Sequence, residues 1–229
     1  MNIADSVILI TAAGCPLGKA ASFHFSSLGA RIALVDTDSE RLHTNYQECL
    51  AKGSECYALC LSDNKEATIA SAIHAVHEQY GKIDVLINCW LGVDIPMLLT
   101  QTSVEEFCQL MTEGTSAFLS FGKQTASYMR EHHQSGVIIN LAACRPDNPI
   151  PLTSSSKAML AGFTQSWSKE LAQYKIRVGG VFPLIFDERH DLPPSTLLSL
   201  PMQYEIARSA EYIVSNDYFN GRMIEAEVV

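Results

Sequence analysis

The chain reads as an α/β protein, a Rossmann-like doubly wound parallel sheet in a single three-layer αβα domain over residues 1–229. Three observations predict this. Short runs are apolar throughout, as strands buried on both faces must be; segments of helical composition alternate with them; and the first two runs end in small or acidic residues rather than in hairpin turns.

Val7 to Ile10 is the first expected strand, and Leu17 to Leu28 has the composition of a helix. Ile32 to Val35 is the second strand and ends at Asp36. Asp38 and Ser39 are good caps for a helix from Glu40 to Lys52, which Gly53 stops. A third strand is expected over Tyr57 to Leu61, then a helix capped by Asp63 that runs to Tyr80 and ends at Gly81, then a fourth strand over Ile83 to Ile87. The long helical region Val104 to Glu131 leads to a strand over Val137 to Leu141. In the next helix Met159, Phe163, Trp167 and Leu171 recur every fourth residue, which predicts a buried face. A strand over Arg177 to Phe182, a helix over Met202 to Ser215 and a strand over Met223 to Glu227 complete the alternation.

A hydrophobic content of 47%, with no polar or low-complexity tract to serve as a linker, fits one sizeable core. The formal net charge of −9 leaves no basic stripe, which argues against a nucleic-acid duplex or an anionic membrane as partner. There is no basic and apolar leader and no apolar stretch of spanning length, so a soluble, cytoplasmic protein is expected. The seven cysteines form no Cys-x-x-Cys pair and read as reduced, mostly buried small hydrophobes. Cys56 and Cys60 can share one face of a strand, and His132 and His133 are adjacent, but neither pair has further ligands at metal spacing, so no metal is expected.

Ligands of such sheets sit at the carboxyl ends of the strands, where strand order reverses. The turn after the first strand, Thr11-Ala12-Ala13-Gly14-Cys15-Pro16-Leu17-Gly18, opens a helix whose unpaired N–H groups can hold a pyrophosphate. Asp36 ends the second strand, where a carboxylate hydrogen-bonds a ribose hydroxyl and repels a 2′-phosphate, favouring NAD(H) over NADP(H). A loop acid beside a helix cap is the plainer account of it.

Several segments together resemble the short-chain dehydrogenase/reductase family. Its Thr-Gly-x-x-x-Gly-Ile-Gly turn falls on Thr11 to Gly18, its Asn-Asn-Ala-Gly on Asn88-Cys89-Trp90-Leu91, its Tyr-x-x-x-Lys on Thr153 to Lys157, and its Pro-Gly on Pro183-Leu184. The closing segment Asn216 to Glu225 is similar to the family's last turn and strand. The resemblance implies an oxidoreductase that moves hydride between a nicotinamide and a small carbonyl or alcohol. It also implies cofactor contacts from Thr11, Gly14, Leu17, Gly18, Asp36, Asn88, Lys157 and Pro183, and a homodimer or homotetramer paired through the helices ending near His132 and Tyr174.

The same alignment removes the family's chemistry. Its tyrosine transfers a proton, helped by the lysine, while a serine orients the substrate oxygen. Here the tyrosine position is Thr153, a far weaker acid; the serine position is Ala143, with Cys144 a poor substitute donor; the relay asparagine falls on Glu113; and the threonine after Pro-Gly falls near Glu188. Only Lys157 is kept, and a lone helical lysine is ordinarily a solvated charge. Ala12 and Pro16 replace the first two glycines of the turn, crowding it and removing an N–H. Gly18 and Asn88 have structural uses that need no ligand. After the fifth strand, Cys144 to Leu152 is stiffened by three prolines, and Arg145 within it could face an anion or simply solvent. Three readings follow: a divergent oxidoreductase with a modified mechanism, a non-catalytic binding, scaffold or regulatory member, or an enzyme of another type built on Lys157, Cys144 or Glu113.

Overall fold

The element order positions every strand end that the sequence marks. A computed structural model describes residues 1–92, 95–96, 99, 101–144, 147, 152–184 and 198–227. Its strands are β1 (Val7–Thr11), β2 (Arg31–Asp36), β3 (Cys56–Cys60), β4 (Val85–Trp90), β5 (Gly136–Ala142), β6 (Ile176–Pro183) and β7 (Met223–Ala226). The α-helices are α1 (Pro16–Ser27), α2 (Ser39–Ala51), α3 (Glu66–Tyr80), α4 (Val104–Glu131), α5 (Ser154–Leu171) and α6 (Leu200–Ser215). All pairings are parallel, and the strands lie in the order β3-β2-β1-β4-β5-β6-β7. Strand order reverses between β1 and β4, so a ligand crevice opens above those two strands.

Alternation along each strand divides the core into two layers. Ile8, Ile10, Ile32 and Leu34 join Phe25 of α1, Leu42 of α2 and Ile206 of α6 on one face. Val7, Leu9, Ala33 and Val35 join Ile69 of α3, Met129 of α4 and Leu171 of α5 on the other. Parallel strands feeding helices to both faces have no exposed side, which is why their sequence is apolar throughout.

Helix ends follow local chemistry. Asp38 caps α2, its Oδ1 accepting from Arg41 N at 3.0 Å, and Gly81 ends α3 with φ +75°. Ser103 caps α4 with Glu106 reaching back, a reciprocal capping box. Three expectations need correction. Asp63 does not cap α3: the cap is Lys65, and the Asp63 carboxylate instead accepts from Lys65 N and from the Thr68 hydroxyl in the first turn of the helix. The fourth strand runs from Val85 to Trp90, later than Ile83 to Ile87, because it stays paired with β5 up to Trp90 and Ala142. The Met159, Phe163 and Trp167 stripe is half-buried; the buried face of α5 is Ser156, Leu160, Thr164, Ser168 and Leu171, smaller residues that let the helix sit close to the sheet.

The stripe packs sideways against α4. Phe118 stacks on Trp167 with ring centroids 5.2 Å apart and meets Phe163 at 5.6 Å. Gly122 of α4 makes the approach possible, since a Cβ there would stand 2.7 Å from the Trp167 ring. Gly122→Ala should therefore lower stability by about 1–3 kcal/mol through overpacking, against a helix-propensity gain of about 1 kcal/mol. Urea unfolding measures this, and a raised midpoint would mean that the ring can move aside.

Candidate functional site

The turn after β1 is held by its own backbone. Ala13 N donates to Val35 O at 3.1 Å, and Thr11 Oγ1 accepts from Cys89 N at 2.9 Å, tying the ends of β1, β2 and β4 together. Ala12 is forced to a left-handed φ of +47°, a conformation that costs a non-glycine residue roughly 1–2 kcal/mol, so the missing glycine leaves measurable strain. Pro16 is the first residue of α1, a position that suits its fixed φ but supplies no N–H. Gly18 permits the helix to start against the turn, because a Cβ there would lie 2.6 Å from Ala12 O.

Much of the turn's donor capacity is used internally. Gly14 N donates to Asp36 Oδ2 at 2.8 Å, Cys15 N to Ala12 O at 2.9 Å, and Gly18 N to Cys15 Sγ at 3.3 Å. Leu17, in the first turn of α1, has the amide that helix geometry leaves for a ligand. Its side chain is core.

Asp36 is 4% exposed and sits at the mouth of the crevice. Its Oδ1 accepts from Asp38 N at 3.0 Å, so both oxygens are oriented by backbone amides. It lines a cavity of about 50 Å³ together with Thr37, Leu61, Asn64, Cys89 and Phe118. That volume holds about a water or two, so a base or ribose would lie in the open mouth. The Cys89 thiol is kept protonated, first by its hydrogen bond with Cys15, then by burial and the nearby Asp36 charge. These residues fit the adenosine end of a dinucleotide.

The remaining expected residues are arranged differently. Asn88 has a structural use that needs no ligand: its Nδ2 donates to Phe118 O at 3.0 Å and joins β4 to α4. Thr153 is the N-cap of α5, its Oγ1 accepting from Ser156 N at 3.1 Å. Lys157 Nζ is paired with Glu225 Oε1 of β7 at 2.7 Å. Ala143 is fully buried and its N–H donates to Trp90 O. Glu113 is exposed on α4 and accepts from Gln109 Nε2 one turn away, so it is not brought to the cleft. Pro183 closes β6 and is buried. Cys144 is buried too. Glu188 and Arg145 lie outside the described residues, as does most of the proline-containing loop.

Two features escaped sequence reasoning. Trp90 stands where the family has alanine; its indole Nε1 donates to Gly114 O of α4 at 3.2 Å, and it is 1% exposed. Its size at that position was the available signal. Arg41 Nη1 pairs with Asp147 Oδ1 at 2.8 Å, joining α2 to the segment after β5, and nothing in sequence signals a partner 106 positions away. Among the described residues, no group of three or more His, Cys, Asp or Glu is placed to hold a metal, and no helix is long and apolar enough to cross a membrane.

A seven-stranded parallel sheet in this order is a Rossmann-like α/β fold. Residues 6–191 match the short chain dehydrogenase family, and the chain belongs to that family, whose members are NAD(P)-dependent oxidoreductases. It is 29% identical over 188 residues to a 3-oxoacyl-[acyl-carrier-protein] reductase of Thermotoga maritima, covering 80% of this chain and 75% of the relative. It is 28% identical to sorbitol-6-phosphate 2-dehydrogenase of Klebsiella pneumoniae, with 82% and 72% covered. In structure it is similar to a Brucella melitensis 3-ketoacyl-(acyl-carrier-protein) reductase complexed with NADH, with a TM-score of 0.75, 20% identity and 96% of each chain covered. An NAD+-bound xylitol dehydrogenase gives a TM-score of 0.74 at 19% identity, with 96% of this chain and 97% of that one covered.

Thr153→Ala should lower stability by about 1 kcal/mol while Thr153→Ser is nearly neutral, as expected of a helix cap. Thermal unfolding of both variants tests it. Equal losses would show that the methyl group, not the hydroxyl, matters.

Proposed function

We propose that this chain is a cytoplasmic, NAD(H)-selective binding member of the family, a regulatory or scaffold protein rather than a tyrosine-type dehydrogenase. The observation that carries the reading is the Lys157–Glu225 ion pair at 2.7 Å, beside a Thr153 hydroxyl engaged in capping α5. The cation that would lower a proton donor's pKa is neutralised by a carboxylate, and the donor itself is an alcohol.

NAD(H), when bound, supplies a hydride donor or acceptor. This chain's residues bind and orient it: the Asp36 carboxylate accepts from ribose hydroxyls and disfavours a 2′-phosphate, Leu17 N–H faces the phosphates, and Phe118 and Leu61 flank the base. A homodimer or homotetramer is supported by the half-open groove of about 300 Å³ between α4 and α5, which exposes Leu119 and Tyr174 beside Gly122 and Trp167.

One observation favours a second reading, an oxidoreductase of modified mechanism acting on a small carbonyl or alcohol. The Thr153 and Ser156 hydroxyls are 3.2 Å apart at the head of α5, within a turn of Lys157. Hydroxyls in contact can pass a proton to an incoming oxygen.

Calorimetry with NADH and NADPH separates these readings when run beside an absorbance screen of carbonyls and alcohols. Binding of NADH at least tenfold tighter than NADPH, with no turnover, is the expected result. Turnover abolished by Lys157→Ala would establish the second reading, and no heat with either cofactor would remove both. Asp36→Asn keeps an acceptor for Gly14 and removes the charge, so it should narrow the NADH preference about tenfold, or about 1.4 kcal/mol.

A further inference from the structure

Two of the seven cysteines are brought together away from the crevice, where α2 hands over to β3. Cys49 lies in the last turn of α2 and Cys56 is the first residue of β3. The chain between them folds back on the helix: Gly53 N donates to Leu50 O at 2.9 Å and Ser54 N to Cys49 O at 3.1 Å, with Gly53 at a left-handed φ of +79°. Cys49 is fully buried, Cys56 is half-buried against the same cluster, and the two thiols share a hydrogen bond. Cys56 is therefore the more accessible of the two, beside a turn whose Lys52, Gly53 and Glu55 are exposed.

The surroundings favour a thiolate on one sulfur of the pair. Cys49 Sγ stands 3.5 Å from the Ser22 hydroxyl and 3.6 Å from Asn45 Oδ1, and the Lys52 ammonium is held over the Phe23 ring at 3.5 Å. The contact with Cys56 first, then the Ser22 hydroxyl and the Lys52 charge, draw the Cys49 thiol below its usual range, against its burial and the charge of Glu48. Glu48 is itself paired with Lys19 at 2.6 Å. Cys56 moves the other way, raised by the contact with Cys49 and by burial. A thiolate beside a thiol is the arrangement in which one sulfur attacks and its neighbour completes the bond.

We propose that Cys49 and Cys56 form a modification site, a dithiol that hydrogen peroxide converts to a disulfide and a thiol reductant restores. The Cys49 thiolate attacks one peroxide oxygen, the O–O bond breaks, and hydroxide leaves while Cys49 becomes a sulfenic acid. The Cys56 sulfur then attacks Cys49, and the S–S bond forms as the S–O bond breaks. The two sulfurs lose two electrons to the peroxide, and the two thiol protons leave with its atoms as two molecules of water. A Cβ on Gly53 would meet nothing within 4 Å, so the turn has room to follow the sulfurs as they close to about 2 Å. The reaction needs no nucleotide and is independent of what the crevice binds.

The test is to treat the folded protein with hydrogen peroxide, under conditions that oxidise free glutathione, then to alkylate it unfolded and map it by tryptic mass spectrometry. Cleavage after Lys52 separates the two cysteines, so the expected product is a pair of peptides joined through Cys49 and Cys56. Alkylatable thiols should fall from seven to five and return to seven with dithiothreitol. In Cys56→Ala, which changes only the half-buried partner, the bond should be lost and dimedone should trap a sulfenic acid at Cys49. Oxidation of the exposed Cys60 or Cys108 ahead of the pair would overturn the proposal, as would seven thiols still free after treatment. Trapping at another cysteine in Cys56→Ala would overturn it as well, because Cys49 would then not be the attacking sulfur.

Discussion

The missing side chain at Gly18 is the constraint on which the site depends. It allows α1 to begin in contact with the Ala12 carbonyl, and that contact fixes the path of residues 12–15 over the end of β1. From that path follow the strained φ of Ala12, the capping of α1 by a cysteine, and the placement of Gly14 N against Asp36. A residue with a Cβ at position 18 would have to push the helix away from the sheet and open each of these contacts. The glycine is thus required by packing whether or not a nucleotide binds.

Polar groups in this crevice differ in what holds them. Asp36 is buried and its two oxygens are oriented by backbone amides, so its position is fixed before any ligand arrives. Thr153 is engaged by a helix end and Lys157 by a carboxylate. The family supplies the frame, and the partners of these few side chains decide how much of its chemistry is available.

Nearly all of the fold was legible in the sequence because strands buried on both faces must be apolar and helices must be capped. Val104–Glu131 matches the expected helix at both ends, its start set by Ser103 and Glu106. What failed were features decided by packing and by which of several polar groups takes a position. Asp63 has the chemistry of a cap, but Lys65 takes the cap position, and Asp63 accepts from Lys65 N and from Thr68 Oγ1 in the first turn of α3. The aromatic stripe of α5 has the spacing of a buried face, yet contact with α4 draws it to the side and leaves Leu160 and Thr164 against the sheet. In the site, the residue types at 36, 143 and 153 could be read directly. The engagement of Lys157 by Glu225, and of Arg41 by Asp147, depends on residues brought together only by the sheet order.

Phe118 connects more of the molecule than its position inside a long helix suggests. It lines the crevice, touches the rings of Trp90, Phe163 and Trp167, and gives its carbonyl to Asn88. Trp90 and Trp167 are the only two tryptophans in the chain. Both indoles are therefore within one ring contact of the ligand crevice, so the protein's intrinsic fluorescence is an internal gauge of what enters it.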